Sequence, residues 1–273
     1  LADGVVKNTI HKTLLPTYDI FDEYRYFEPN RSFEIVEVKG VKIGIAICED
    51  LWNTGENPLY TKTPALSLKE LGAELIVNIA ASPFSYNQDS ERKAVLKENA
   101  LQTDLPIVYC NHIGAQTELI FDGGSFFMSK DGTITGQEKF FEEGLFYNQL
   151  DVRVGTFKNE ATPSVQQSSE KIELIHDALV LGIKDYFKKL GFKKAIVGLS
   201  GGIDSAVTFA LAARALGNEN VYGILMPSQY SSDHSIADAK ALAENIGAPY
   251  EVVEIEDLYN SYGQKLKPIF KDL

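Results

Sequence analysis

Residues 193–217, KKAIVGLSGGIDSAVTFALAARALG, constrain the architecture of this chain more than any other stretch. Residues 195–199 are small or apolar and too few for a buried helix, so they read as a buried strand. A Ser-Gly-Gly turn breaks the run. Apolar residues at helical spacing follow as far as Gly217, where a C-terminal cap belongs. Strand-like runs recur in VYGILMP from position 221 and in YEVVEI from position 250, and the helical stretch SIADAKALAENIG lies between them. Alternation of that kind implies right-handed βαβ units and a doubly wound parallel sheet.

The first half is also α/β. VKIGIAIC (41–48), AELIVNIAASPF (73–84) and DLPIVYCNHIG (104–114) are short apolar strand signatures separated by helical stretches. Between them and the later sheet, residues 157–169 turn polar, with a Pro and a Ser pair, as a linker does. Three parts are therefore expected: a domain over 1–156, a linker over 157–169 and a second domain over 170–273. That second domain opens with an amphipathic helix, because Ile172, Ile175, Leu179, Ile183, Tyr186, Phe187 and Leu190 recur at three- and four-residue steps ahead of Gly191.

Composition narrows the function classes. The 273 residues are 44% hydrophobic, enough for packed cores, and carry a net charge of −12. Such an acidic chain is a poor match for the phosphate backbone of nucleic acid, so a phosphate ligand must be gripped locally. Cys48 and Cys110 form no disulfide framework, and His11, His112, His176 and His234 form no metal-ligand spacing with them. A reducing, cytoplasmic setting is expected. No run approaches the ~20 apolar residues of a membrane span, and no secretory leader opens the chain. It starts at Leu1 and stops at KPIFKDL soon after a strand-like run, so an internal piece of a longer protein is expected.

A glycine turn leading from a strand into a helix presents several backbone N–H groups to an anion, and the helix start adds partial positive charge. Gly201 and Gly202 allow close approach, Ser200 and Ser205 bring hydroxyls, and Asp204 is an acceptor suited to Mg²⁺ riding on phosphates. The plainer alternative is a tight turn with an Asp or Ser N-cap. No G-x-x-x-x-G-K-[ST] is present, which argues against a Walker-type kinase or ATPase, and GLSGGI does not satisfy G-x-G-x-x-G. The spelling resembles the S-G-G-x-D-S loop of the ATP pyrophosphatase family, which grips the pyrophosphate lost when ATP adenylates a substrate oxygen. The resemblance implies that Ser200, Gly201, Gly202, Asp204 and Ser205 hold phosphate, with Asp204 on Mg²⁺. It also implies that GILMPSQYSS, with Met226, lines the adenosine pocket, although a Met at such a place also reads as core packing.

Cys48 closes a buried strand in IGIAICEDLWN, where a sharp turn would expose its sulfur. A lone Cys also reads as a small buried hydrophobe. Glu49 and Asp50 would oppose thiolate formation if they faced the sulfur, so a cation must come from elsewhere. HKTLLPTYDIFDEYRYF followed by ICEDLW, with ELIFDGGSFF at 118–127, resembles the nitrilase-like αββα glutaminase domain of the glutamine-dependent NAD⁺ synthetase family. The resemblance runs across both halves in order. It implies Lys12 and Cys48 as catalytic, with a third, glutamate member expected ahead of Leu1. It places Tyr18, Glu23, Trp52 and Ser82 around glutamine, with Glu23 on the substrate ammonium, while Gln88 stands where some members have a basic residue. The implied substrates are glutamine, ATP and deamido-NAD⁺, and the implied assembly is a homo-oligomer. Two alternatives stand beside this: a synthetase of the same loop chemistry with another acceptor, and an inactive nucleotide-binding fragment.

Overall fold

The computed structural model describes residues 4–55, 59–158 and 170–270. Two compact units divide the chain: residues 1–114 with 119–174, and residues 115–118 with 175–273.

The first unit is built on a six-stranded sheet of order β1 (Ile35–Val38), β2 (Val41–Ile47), β3 (Leu75–Ala80), β4 (Ile107–Asn111), β5 (Phe126–Met128), β6 (Ile134–Gln137). Strands β2, β3 and β4 run parallel, and β1, β5 and β6 pair antiparallel at the flanks. After α1 (Glu23–Tyr26), helices α2 (Pro64–Glu70) and α3 (Gln88–Thr103) make the two parallel crossovers. Alternate strand residues point to opposite faces. Ala46, Ile76, Ile107, Tyr109, Phe126 and Met128 therefore share one buried core with Leu68 of α2 and Leu96 and Ala100 of α3. Each large side chain in it stabilises the fold by about 1.5–3 kcal/mol. Gly44 sits where α2 presses closest: a Cβ there would lie 3.1 Å from the Leu68 side chain.

The second unit carries a parallel sheet of order β7 (Ala195–Gly198), β8 (Val221–Leu225), β9 (Tyr250–Val252). It includes most of α4 (Lys171–Leu190), the crossover helices α5 (Ile203–Leu216) and α6 (Asp233–Ile246), and α7 (Glu256–Leu266). Phe209, Ala212 and Ala213 of α5 and Ala239 and Ala243 of α6 pack with Val221 and Leu225 in a single core. This is the α/β succession the sequence implies. The small residues let both helices lie close to the strands.

Helix α4 forms where the periodicity places it, and Gly191 follows with φ 74°. Its apolar stripe is open: Ile172, Leu179, Tyr186 and Leu190 are 66, 43, 55 and 51% exposed. Phe157, the first residue of the expected linker, is buried and packs its ring on Phe127 at 5.0 Å. Residues 159–169 of that linker lie outside the described residues. No described helix is long and apolar enough to cross a membrane.

Candidate functional site

Strand β2 ends at Ile47, and a tight 3₁₀ turn over Cys48–Leu51 follows. Cys48 takes φ 48°, a left-handed conformation that costs a non-glycine residue roughly 1–2 kcal/mol. The surrounding hydrogen bonds hold it there. Asp50 Oδ2 accepts from the Ile47 N–H at 3.0 Å, and Oδ1 accepts from the N–H groups of Thr13 and Leu14 at 2.9 and 2.8 Å. Asn78 Nδ2 donates to the Cys48 carbonyl at 3.4 Å. One carboxylate thus binds the Cys48 turn to the segment that carries Lys12.

Two cavities of the first unit meet at Cys48. One, of about 610 Å³, is lined by Lys12, Glu23, Phe27, Cys48 and Ile79 among others. The second, of about 260 Å³, is lined by Tyr18, Cys48, Glu49, Trp52, Ser82 and Gln88 among others. The other five residues the sequence assigned to this half, Lys12, Tyr18, Glu23, Trp52 and Ser82, therefore line the two cavities that Cys48 joins. Lys12 Nζ contacts both Glu23 oxygens, at 2.7 and 2.5 Å. The Glu23 carboxylate, assigned to a substrate ammonium from sequence, is thus engaged by Lys12.

Glu49 is the group that sequence reasoning missed as a cavity residue. It is 4% exposed and accepts from the Tyr18 hydroxyl at 2.9 Å and the Tyr60 hydroxyl at 3.1 Å. Its place next to Cys48 was the available signal, whereas nothing in the sequence points to Tyr60. Burial pushes the Glu49 pKa up, against the two tyrosine hydrogen bonds and the Lys12 charge. Burial likewise pushes up the pKa of the Cys48 thiol; the Lys12 ammonium and the Ala81 N–H pull it back, while Glu49 and Glu23 push it further. Asp50, which could have repelled a thiolate, is turned toward main-chain N–H groups instead.

In the second unit, β7 runs into α5 through the 199–202 turn. Gly201 has φ 80°, and a Cβ there would sit 2.3 Å from the Ser235 carbonyl oxygen, so only glycine fits. Ser205 Oγ organises the turn: it accepts from the Ser200 N–H at 3.2 Å, donates to the Gly202 carbonyl at 3.0 Å and lies 3.1 Å from Ser200 Oγ. Ser200 Oγ accepts from the Gly202 N–H at 3.2 Å. Asp204 stands exposed in the first turn of α5. Met226 follows β8 directly and is 50% exposed, which leaves it at the carboxyl edge of the sheet instead of in the core. The loop and Met226 therefore share the strand ends where open parallel sheets bind ligands.

A cysteine held in the left-handed region after a parallel strand, sharing a cavity with a lysine and a glutamate, is the arrangement a thiol-dependent hydrolase requires, and the family comparison points the same way. Residues 3–159 match the carbon-nitrogen hydrolase family model, and the chain belongs to that family; residues 175–273 match the NAD synthase family model. Over its full length the chain is similar to glutamine-dependent NAD(+) synthetases. It is 44% identical over 275 residues to that of Synechocystis sp., covering 100% of this chain and 49% of the relative. With that of Thermotoga maritima it shares 36% over 299 residues, covering 99% and 51%. The structure of the Acinetobacter baumannii glutamine-dependent NAD+ synthetase in complex with ADP superposes with a TM-score of 0.89 at 36% identity, covering 100% of this chain and 50% of that one. The chain spans about half the length of the curated relatives it matches.

Proposed function

We propose that the longer protein to which this chain corresponds is a glutamine-hydrolysing NAD⁺ synthetase, with its thiol chemistry in the first unit and its nucleotide chemistry in the second. The observation that carries this is the convergence of Lys12, Glu23, Tyr18, Trp52 and Ser82 on the cavities around Cys48. The Cys48 sulfur attacks the side-chain amide carbon of glutamine, ammonia leaves, and water hydrolyses the γ-glutamyl thioester to glutamate. A buried thiol with a raised pKa needs a base, and the family resemblance supplies it as a glutamate ahead of Leu1. Lys12, oriented by Glu23, steadies the oxyanion. With Glu23 so engaged, the buried Glu49 carboxylate becomes the acceptor for the substrate's α-ammonium.

In the second unit the 200–205 loop grips the phosphates of ATP while the nicotinate carboxylate of deamido-NAD⁺ is adenylated. Ammonia then displaces AMP to form the amide. Among the described residues no cluster of three or more His, Cys, Asp or Glu could enclose a metal. A Mg²⁺ ion would be held by Asp204 and by phosphate oxygens, a donor set of hard oxygens that suits it. Bound there, it would neutralise charge on the departing pyrophosphate. A cytoplasmic, homo-oligomeric enzyme is the matching setting.

The test is Cys48→Ala in the longer protein. Glutamine-driven NAD⁺ formation is expected to fall more than 1000-fold (about 4 kcal/mol of barrier) while ammonia-driven formation stays within twofold. Loss of both would overturn the division of labour.

A further inference from the structure

A buried polar chain stands behind the Ser82 wall of the Cys48 cavity, and none of the chemistry above uses it. Ser82 lies just beyond β3 and is 4% exposed. Its main-chain N–H donates to Asn111 Oδ1 at 3.0 Å. Asn111 ends β4, and its Nδ2 donates to Asp122 Oδ1 at 3.1 Å and to the Gly123 carbonyl at 3.0 Å. Asp122 in turn accepts from Arg92 Nη2 of α3 at 3.1 Å, and the two side chains are 3 and 0% exposed. The Arg92 guanidinium also lies 5.5 Å from the centre of the Tyr109 ring.

An ion pair this deeply buried is costly, because desolvation of the two charges consumes much of their attraction. Packing alone would be served as well by two apolar side chains. What the pair does instead is present an acceptor to one amide. A side-chain amide can turn either end toward a neighbour. Asp122 and Gly123 offer only oxygens on one side, so the Asn111 nitrogen must face them and its oxygen must face Ser82.

We propose that Arg92, Asp122 and Asn111 are positioning residues for substrate binding: they lock the Asn111 amide so that it fixes the Ser82 peptide, and with it the wall of the glutamine pocket. The proposal rests on the reading of the Cys48 cavity as a glutaminase site. It sets the device apart from Lys12 and Glu23, because the chain holds the substrate's frame and leaves the thiol alone.

Asn111→Asp in the longer protein is the test. It keeps the shape, removes both donated hydrogen bonds and sets a carboxylate against Asp122. KM for glutamine is expected to rise at least tenfold, with kcat changed less than threefold. Alkylation of Cys48 by iodoacetamide without glutamine should stay within twofold, as should ammonia-driven synthesis. Ser125→Ala removes the acceptor of the Asn111 main-chain N–H, a bond outside the relay, and is expected to leave KM within twofold. Asp122→Asn carries the same expectation as Asn111→Asp at several-fold, and replaces it if that variant does not fold. An unchanged KM in Asn111→Asp and Asp122→Asn, or an equal rise in Ser125→Ala, overturns the proposal. Absence of glutamine turnover in the unaltered protein would overturn the glutaminase reading itself.

Discussion

The Cys48 turn and the 200–205 loop both follow a parallel strand, yet they are held in opposite ways. Around Cys48, Glu49 and Asp50 are 4 and 3% exposed, the thiol and carboxyl pKa values are raised by burial, and Lys12 and Glu23 line the same cavity as an ion pair. The 200–205 loop is largely open to solvent and is tied by hydroxyls and main-chain groups. The difference fits the two chemistries proposed for them. Forming a thioester needs a thiol whose protonation is set by a dry, charged surround, whereas gripping a polyanion needs only N–H groups aimed outward from a helix start.

The sharpest way to break the comparison is to damage each site and read the other. Gly201→Ala pushes a Cβ into the Ser235 carbonyl and imposes φ 80° on alanine. Ammonia-driven synthesis is expected to fall about 100-fold or more, with glutamine hydrolysis at Cys48 still measurable. Asp50→Ala orphans the N–H groups of Ile47, Thr13 and Leu14 together. Chemical denaturation should show the first unit destabilised by about 3 kcal/mol or more, with nucleotide binding at the 200–205 loop retained.

A smaller effect tests the charges alone. Lys12 lowers the thiol pKa, so Lys12→Met raises it further, and at any pH below that pKa the thiolate fraction drops in proportion to the weakened acidity. Iodoacetamide alkylation at pH 8 should slow by about tenfold. In both proteins the rate should climb with pH toward the raised thiol pKa, with the Lys12→Met curve displaced to higher pH. Smallest of all is Ser205→Ala. Its hydrogen bonds compete with water at an exposed turn, so nucleotide affinity measured by calorimetry should weaken by less than tenfold.

The βαβ succession and the 200–205 loop were legible in the sequence because local period and turn chemistry specify them without help from distant residues. Cys48 and Lys12 were legible as a spelled motif, and the structure gathers both at one cavity. The partners of the acidic groups were not legible. Asp50 reads as a threat to the thiolate until its hydrogen bonds to Thr13 and Leu14, 37 and 36 residues away in sequence, are seen. Glu23 reads as a substrate ligand, and nothing in the sequence shows that it also holds Lys12. Tyr60 carries no sign at all that it reaches Glu49. Helix α4 shows the complementary limit: its stripe predicts a helix correctly, but periodicity does not say what covers Ile172, Tyr186 or Leu190.

The Asp50 carboxylate has a consequence for motion. The peptide groups beside Lys12 and those entering the Cys48 turn refer to the same pair of oxygen atoms, as two survey stations refer to one benchmark. A displacement of either segment then pulls on the other, so the main chain beside Lys12 and the main chain entering Cys48 are tied to a common point.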